Sequence, residues 1–480
     1  MRWLPVLCAI FAGGCGRLVD ESFWFEDVTI ESPADGAILL GREVFPVEVS
    51  VECDDVQLIT VDFEDWPAGW WTPGSEQATG CSGRPHTYCV PTEITPALGL
   101  GRFWPAQLRA TLSCAHRPGD FPSVAQSVYV APFDALAWVP ATARSLFGAP
   151  GGGVIAVSAG GVHRVGPGGE IAGLANRSSA ARAFTVDGDV YYYAPCEQIA
   201  CDAAAPDLFR VDAATLAPGG ASTRLGCAPS AIVGLDDQRV IALGDCAAPR
   251  VQWTAADLSP RAEDAVDVRL TDRAARRGDE VVVLAWRDDE LVIVAAGTAP
   301  PLAVRPTGIH GQLAALSDDG ARAAVIDPAG RLVHIATATG AVVGWTAFAS
   351  RDAVAIAYAP GTHHVIAAFT DAWWLVAEDA APATARRVDA LRDDDGTPLT
   401  VRTAAALDGR RTLVIADPPE STPPRRLVYV TDGTTTALHA WVGADWQLTA
   451  PPVLRADGTL YLAFDTLRGP VVVWHRIAAP

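Results

Sequence analysis

Apolar residues along most of this chain come in runs of about five, separated by Gly, Asp and Pro, and such spacing predicts short strands rather than helices. The stretch Gly311–Phe348 shows the pattern most cleanly. Apolar runs within Gly311–Leu316, Ala321–Ile326, Arg331–Ile335 and Ala341–Phe348 alternate with the turns Ser317–Gly320, Asp327–Gly330 and Ala336–Gly340. Gly and Asp supply turn conformations and Pro328 pre-sets φ, so four antiparallel strands are expected. A sheet of that size cannot bury both faces alone and must stack on copies of itself. No apolar stretch recurs at helical spacing over three turns, and 43 Gly with 36 Pro leave helices little room.

Laid along the chain, the second strand of this unit recurs from Gly153, Asp189, Arg239, Glu280, Ala321, His363, Arg411 and Thr459. The separations are 36, 50, 41, 41, 42, 48 and 48 residues, the repeat length of a β-propeller. Residues 133–480 are therefore expected to form a propeller of eight blades, with seven as the alternative because Arg239–Arg269 is irregular. The last unit stops one strand short. Ala135–Val139, unused by the first blade, is expected to pair at its edge and close the ring.

Ahead of the propeller, residues 22–132 carry period-two runs at Val47, Val49 and Val51, Leu58–Phe63, Gln107–Cys114 and Gln126–Val130. The opening Val28–Gly36 and Phe45–Val51 resembles the first two strands of bacterial immunoglobulin-like domains, which implies a β-sandwich. The fold class is thus all-β, a small immunoglobulin-like sandwich followed by a propeller. Leu332–Trp345 resembles the repeat of quinoprotein-type propellers, and Asp207–Thr215 and Asp457–Ala463 fit parts of it, while the Gly-His and Trp-Asp pairs of WD40 repeats are missing. Fold alone does not fix function.

The first fifteen residues change the picture. Met1-Arg2, an apolar Trp3–Phe11 and Ala12-Gly13-Gly14-Cys15 resemble the signal and lipobox of bacterial lipoproteins, with Ala12 where Leu is usual. The resemblance implies that residues 1–15 are a lipoprotein signal with its lipobox, cut so that the mature protein begins at a lipid-anchored Cys15, and a cell-envelope location, the outer membrane since Gly16 rather than Asp follows. An envelope lipoprotein with a propeller also resembles the assembly-machinery lipoprotein that helps insert barrel proteins, although the front domain is foreign to that family. Setting Cys8 and Cys15 aside leaves eight cysteines, four in each region, the even count a disulfide framework requires. Cys53 ends an early strand and Cys114 a late one, the relation a bridge across two packed sheets needs, and Cys81 with Cys89, Cys196 with Cys201, and Cys227 with Cys246 are the other expected pairs.

A formal charge of −20 argues against nucleic acid as a partner. All 36 cationic side chains are Arg, a feature that codon bias explains. No catalytic, metal or cofactor motif emerges. His363-His364 alternate across a strand, Asp393-Asp394-Asp395-Gly396 lacks the spacing of a calcium loop, and Ser317–Gly320 departs from the sialidase Asp-box. Trp66, Trp70 and Trp71, in a Pro- and Gly-rich stretch read as a loop, are candidates for contact with a protein or glycan partner, or for a hydrophobic seam. Two functions remain: a binding or scaffolding module acting through the propeller face, and a propeller enzyme, a glycan lyase or hydrolase, with residues converging from several blades. A polar channel lined by convergent Asp, Glu, His or Arg would favour the enzyme, and a channel plugged by small apolar residues would favour binding.

Overall fold

The computed structural model describes residues 28–477, apart from 36, 41–43, 64–65, 74–83, 94–103, 117, 120, 132–134, 176–181, 196–205, 349–351, 372, 377–385, 389–391, 393–397, 409–410, 418–424, 432–435, 444–445 and 467–468. The described elements are all strands. The chain divides into a unit built mainly from residues before Tyr129 and a unit that runs on from Tyr129.

The first sheet contains β1 (Val28–Ser32), β2 (Ile38–Leu40), β3 (Val44–Val51), β4 (Val56–Phe63), β5 (Trp66–Trp71), β6 (Thr87–Glu93), β7 (Trp104–Cys114) and β8 (Ser123–Ala131). Their order is β1-β3-β6-β5-β4-β7-β8-β2. Alternation does what the valines predict: Val47, Val49 and Val51 are buried while Glu48 and Ser50 are not. Ile59, Val61 and Phe63 of β4 and Leu108, Ala110 and Leu112 of β7 are wholly buried. The eight strands form one hydrogen-bonded path, yet β5 and β6 join through a single pair, Gly69 with Thr92. A Cβ at Gly69 would run into the Pro91 carbonyl, so glycine is what permits the approach.

Two expectations change here. Trp66–Trp71 is not a loop but β5, with Trp70 opposite Thr60 and Trp71 opposite Ile59, because aromatic residues suit a strand and a bulge at Val61–Asp62 accommodates the Pro-Ala-Gly core. Cys53 bridges to Cys114 as expected, but it sits in the β3–β4 connection beside the end of β7, where Val56 pairs with Cys114. Cys89 is disulfide-bonded, and Cys81 lies outside the described residues.

The second unit is a β-propeller. Seven four-stranded blades of consecutive strands span residues 143–175, 182–223, 231–265, 269–310, 313–347, 353–388 and 400–443. A last sheet is assembled from both ends of the unit: Gln447–Leu448, Val453–Leu454, Thr459–Thr466, Gly469–Arg476 and β9 (Ala135–Trp138). There β9 pairs antiparallel with Val471–Trp474, as the one-strand deficit requires. Second strands begin within two residues of the positions read from the sequence. The segment that looked irregular is an ordinary blade, with strands at Gln238–Leu243, Arg250–Ala255 and Pro260–Ala265.

The core lies between blades. Along the second strand of blade 1, Val154 and Ala156 join a cluster with Ala137, Tyr461 and Val472 of the last sheet, while Ile155 and Val157 join one with Val190 and Tyr192 of blade 2. Each inner strand thus has two apolar faces, which explains apolar runs where a half-exposed sheet would alternate. Polar latches cross the same junctions. Asp207 accepts bonds from the Leu225 and Gly226 amides, Arg239 donates to the Tyr191 hydroxyl, and Arg455 donates to the carbonyls of Ala149 and Gly153 in blade 1.

Two histidines are buried in third strands by one device. His163 pairs with Ala156 and Gly173, and His334 with Ala324 and Gly344, so small residues on both flanking strands make room for the ring. Both ring nitrogens of His334 lack a partner, and burial, with Arg322 nearby, holds its pKa down at about 4.

Removing β9 would expose the edge of Val471–Trp474, whose valines are wholly buried. Deletion of residues 134–139 should lower the melting temperature by about 10 °C or more, since several kcal/mol of apolar burial is lost; an unchanged melting curve would contradict closure by β9. A second expectation concerns acid. The unfolded chain takes a proton on His334 near pH 6.5 whereas the folded one resists to about 4, so stability is complete above pH 6.5 and falls as pH drops toward 4. His334→Leu should remove about 2 kcal/mol of the loss between pH 7 and pH 5; equal pH dependence in both proteins, followed by thermal unfolding, would rule this out.

Candidate functional site

In every blade the first strand is innermost. The first strands of blades 1 to 7 contact one another in order, and Val453–Leu454 of the last sheet returns to blade 1, so together they ring a channel. Because these strands all run in one direction, their first residues gather at one mouth.

A cavity of about 630 Å³ opens there. Arg144 lies at the start of blade 1, Arg182 opens blade 2, Ser230 immediately precedes blade 3, Arg269 and Thr271 begin blade 4, and Pro451 comes from the last sheet. Leu146, Phe147, Phe184 and Trp286 supply apolar wall, and Asp245 and Asp272 the carboxylates.

The charges are unequally satisfied. Arg182 pairs with Asp245 at 3.2 Å, and Asp272 pairs with its neighbour Arg273 at 3.4 Å, just outside the cavity lining. Arg144 and Arg269 form no ion pair or hydrogen bond among the described residues, and both are exposed. Among the described residues, two guanidinium forks therefore face the cavity with no acid partner, in a chain whose formal charge is −20.

The rim of blade 3 is braced. Cys227 and Cys246 form a disulfide between the segment entering the blade and the loop after its second strand. Ser230 and Asp245, both in the cavity wall, lie within a few residues of this bridge, and the Ser230 hydroxyl accepts from the Gly244 amide at 3.1 Å. With both sulfurs in the bridge, neither is a free thiolate for a metal. Cys196 and Cys201 lie outside the described residues, as does Cys15.

Other candidates from the sequence are structural. His363 and His364 sit in a turn before the strand that begins at Val365, so they do not start it; Thr362 bonds the His364 amide and sets the turn. His363 lies 3.0 Å from Asp319. Burial alone would raise the pKa of Asp319, but bonds from the Ser317 hydroxyl, the Ala321 amide and His363 outweigh it and hold it at about 2. Asp318 accepts from the Gly361 amide, so this group stitches blade 5 to blade 6. Cys53, Asp55 and Cys114 cluster in the first unit, but both sulfurs are in the bridge and Asp55 accepts bonds from His116. Asp393–Gly396 and the side chains of Trp66, Trp70 and Trp71 fall outside the described residues.

Sequence reading missed the arginines. It framed each repeat by its second strand, and the signal was one strand earlier: Arg at or next to the first position of the innermost strand in blades 1, 2 and 4.

No family model and no curated protein matches the chain. Among solved structures it is similar to BamB from Moraxella catarrhalis, with 15% identity, a TM-score of 0.48, and 72% of this chain and 100% of that one covered. The shared feature is the propeller. It is also similar to a quinoprotein alcohol dehydrogenase-like protein from Bacteroides thetaiotaomicron, with 12% identity, a TM-score of 0.40, and 87% and 96% covered. The computationally designed Ika8 protein gives 13%, 0.47, and 71% and 98%. At such identities the likeness is one of fold alone.

Replacing Cys227 and Cys246 by Ser should cost ~3 kcal/mol on the loop-closure estimate and free the Asp245 loop. Denaturant melts of the double variant and wild type, both under oxidising conditions, test this; coincident midpoints would show that the bridge braces nothing.

Proposed function

We propose that this protein is a cell-envelope lipoprotein that acts as a binding or scaffolding module through the mouth of its propeller channel. The observation that carries the binding role is the cavity where Arg144 and Arg269 stand unopposed beside Phe147, Phe184 and Trp286. The envelope assignment rests on the lipobox-like Ala12–Cys15 and is supported by disulfides in both units, which belong to an oxidising compartment. We count the closing sheet as an eighth blade. The front domain is read as an immunoglobulin-like sandwich over residues 22–132, with the propeller over 133–480; strand groups β1-β3-β6 and β5-β4-β7-β8, joined by one pair only, support that division into two layers. Trp66, Trp70 and Trp71 remain proposed as its partner contact.

One observation favours the second reading. Charged residues from several blades do converge on the channel, as an enzyme acting on glycans would need. Against it, the described lining contains no His, Glu or Cys, and Asp245 is held by Arg182 rather than placed against a second carboxylate. Binding is the better account.

One set of envelope fractions tests these parts together. Wild type should sediment with membranes and Cys15→Ser should not; a variant that still sediments removes the anchor. A photo-crosslinker at Ser145, in the cavity, should capture a partner that one at Asp279, at the far end of a first strand, does not. Equal or absent capture at Ser145 would reject the mouth as the platform, and capture unchanged by Trp70→Ala with Trp71→Ala would reject the tryptophans.

A further inference from the structure

We propose that the channel mouth is a built site for a small organic oxyanion, a carboxylate or phosphate monoester carried on an apolar body. This rests on the reading of the mouth as the binding platform and names the chemistry it selects.

Charge is the first support. Arg182 is spent on Asp245, and Asp272 has Arg273, so the wall's acids are answered within the protein. Arg144 and Arg269 are left over, on strands of blades 1 and 4 whose backbones are fixed by their sheets. A guanidinium presents a planar fork of donors that matches the two oxygens of a carboxylate or phosphate. Two such forks from different blades, open to one cavity, define where the anion goes.

The wall is the second support. Leu146 and Trp286 are buried, Phe147 and Phe184 half-buried, and all four reach the cavity. Of the hydroxyls beside them, Thr271 donates to the Leu284 carbonyl at 2.8 Å, and Ser230 accepts from Gly244. Beyond the guanidinium groups, the hydroxyl donors left are those of Ser145 and Ser230, few for a heavily hydroxylated ligand, and an aliphatic or aromatic body fits the four apolar side chains better. The volume of about 630 Å³ lies mid-range for small-ligand sites. Macromolecular polyanions are disfavoured because one long enough to lie across the surface meets its carboxylates at contact range, in a protein of formal charge −20.

Calorimetry on the full chain decides the matter with four probes: 3-phenylpropionate, phenyl phosphate, neutral 3-phenylpropanamide, and inorganic phosphate. One or both organic anions should bind with 1:1 stoichiometry, and the amide and inorganic phosphate should bind at least about tenfold more weakly. Arg144→Gln and Arg269→Gln should each weaken the anion about tenfold or more, while Arg261→Gln, on the surface of blade 3 and paired with Asp237, should leave it unchanged. Whichever organic anion binds more tightly identifies the head group. The proposal is overturned if the amide matches the acid, if inorganic phosphate matches phenyl phosphate, if both cavity variants bind as wild type does, or if neither organic anion binds at about 10 mM. Crosslinking at Ser145 that persists after such a result would leave the mouth as a platform and remove only the oxyanion.

Discussion

The propeller depends on ring closure. Each blade buries its two faces against its neighbours, so a linear stack would leave two apolar faces and two edges open, and only a ring removes them. The chain meets this constraint by borrowing. Ala135–Trp138, at the start of the unit, completes a sheet whose other strands come from its end, and Val471–Val473 between them are wholly buried. Arg455 reinforces the seam from the side, since its guanidinium reaches two carbonyls of blade 1 some three hundred residues earlier. Neither contact forms until both ends are in place. Closure is therefore a long-range interaction between the two ends of the unit.

Burial between blades is mostly nondirectional, and apolar wedges of Val, Ile and Ala would tolerate slippage of one blade against the next. Polar contacts at the junctions oppose that. Arg239 with Tyr191 has its bond satisfied in one register only, and a slipped register would leave buried polar groups unpaired at a cost above that of the lost bond, while Asp207 with its two amides fixes the segment that leads from blade 2 to blade 3. His334 is one of several exceptions. It is buried without a partner for either nitrogen, tolerated because its neutral form is preferred, and Ala324 and Gly344 leave it the space.

How much could be read in advance follows from the range of each interaction. Local turn chemistry marks strand ends, which is why Asp327-Pro-Ala-Gly330 and Asp457-Gly458 placed their strands within two residues. Closure was also legible, because the count of strands in the last unit came out one short. The Trp66–Trp71 strand was not, since Pro67 and Gly69 imitate a loop and only the bulge opposite Val61–Asp62 reconciles them with pairing. Least legible was the cavity. Arg144, Arg182 and Arg269 are separated by tens of residues and share no motif; only the common direction of the innermost strands brings them to one mouth.

Arginine itself says little in this chain, where it supplies every cationic side chain. What distinguishes Arg144 and Arg269 is that both line one cavity and neither has an acid partner among the described residues. With 56 acidic residues against 36 arginines, a cation placed at random on this surface should find a carboxylate, and most described arginines do: Arg210 with Asp189, Arg331 with Asp327, Arg402 with Asp417. Two such vacancies on one cavity are thus more informative than the arginines are. The global charge and the local site also act at different ranges. Beyond a Debye length of about 8 Å the field of distant carboxylates is screened, whereas a fork in contact with an oxyanion in a half-enclosed cavity is not. A strongly acidic protein can therefore keep polyanions away and still hold a small anion at its channel mouth.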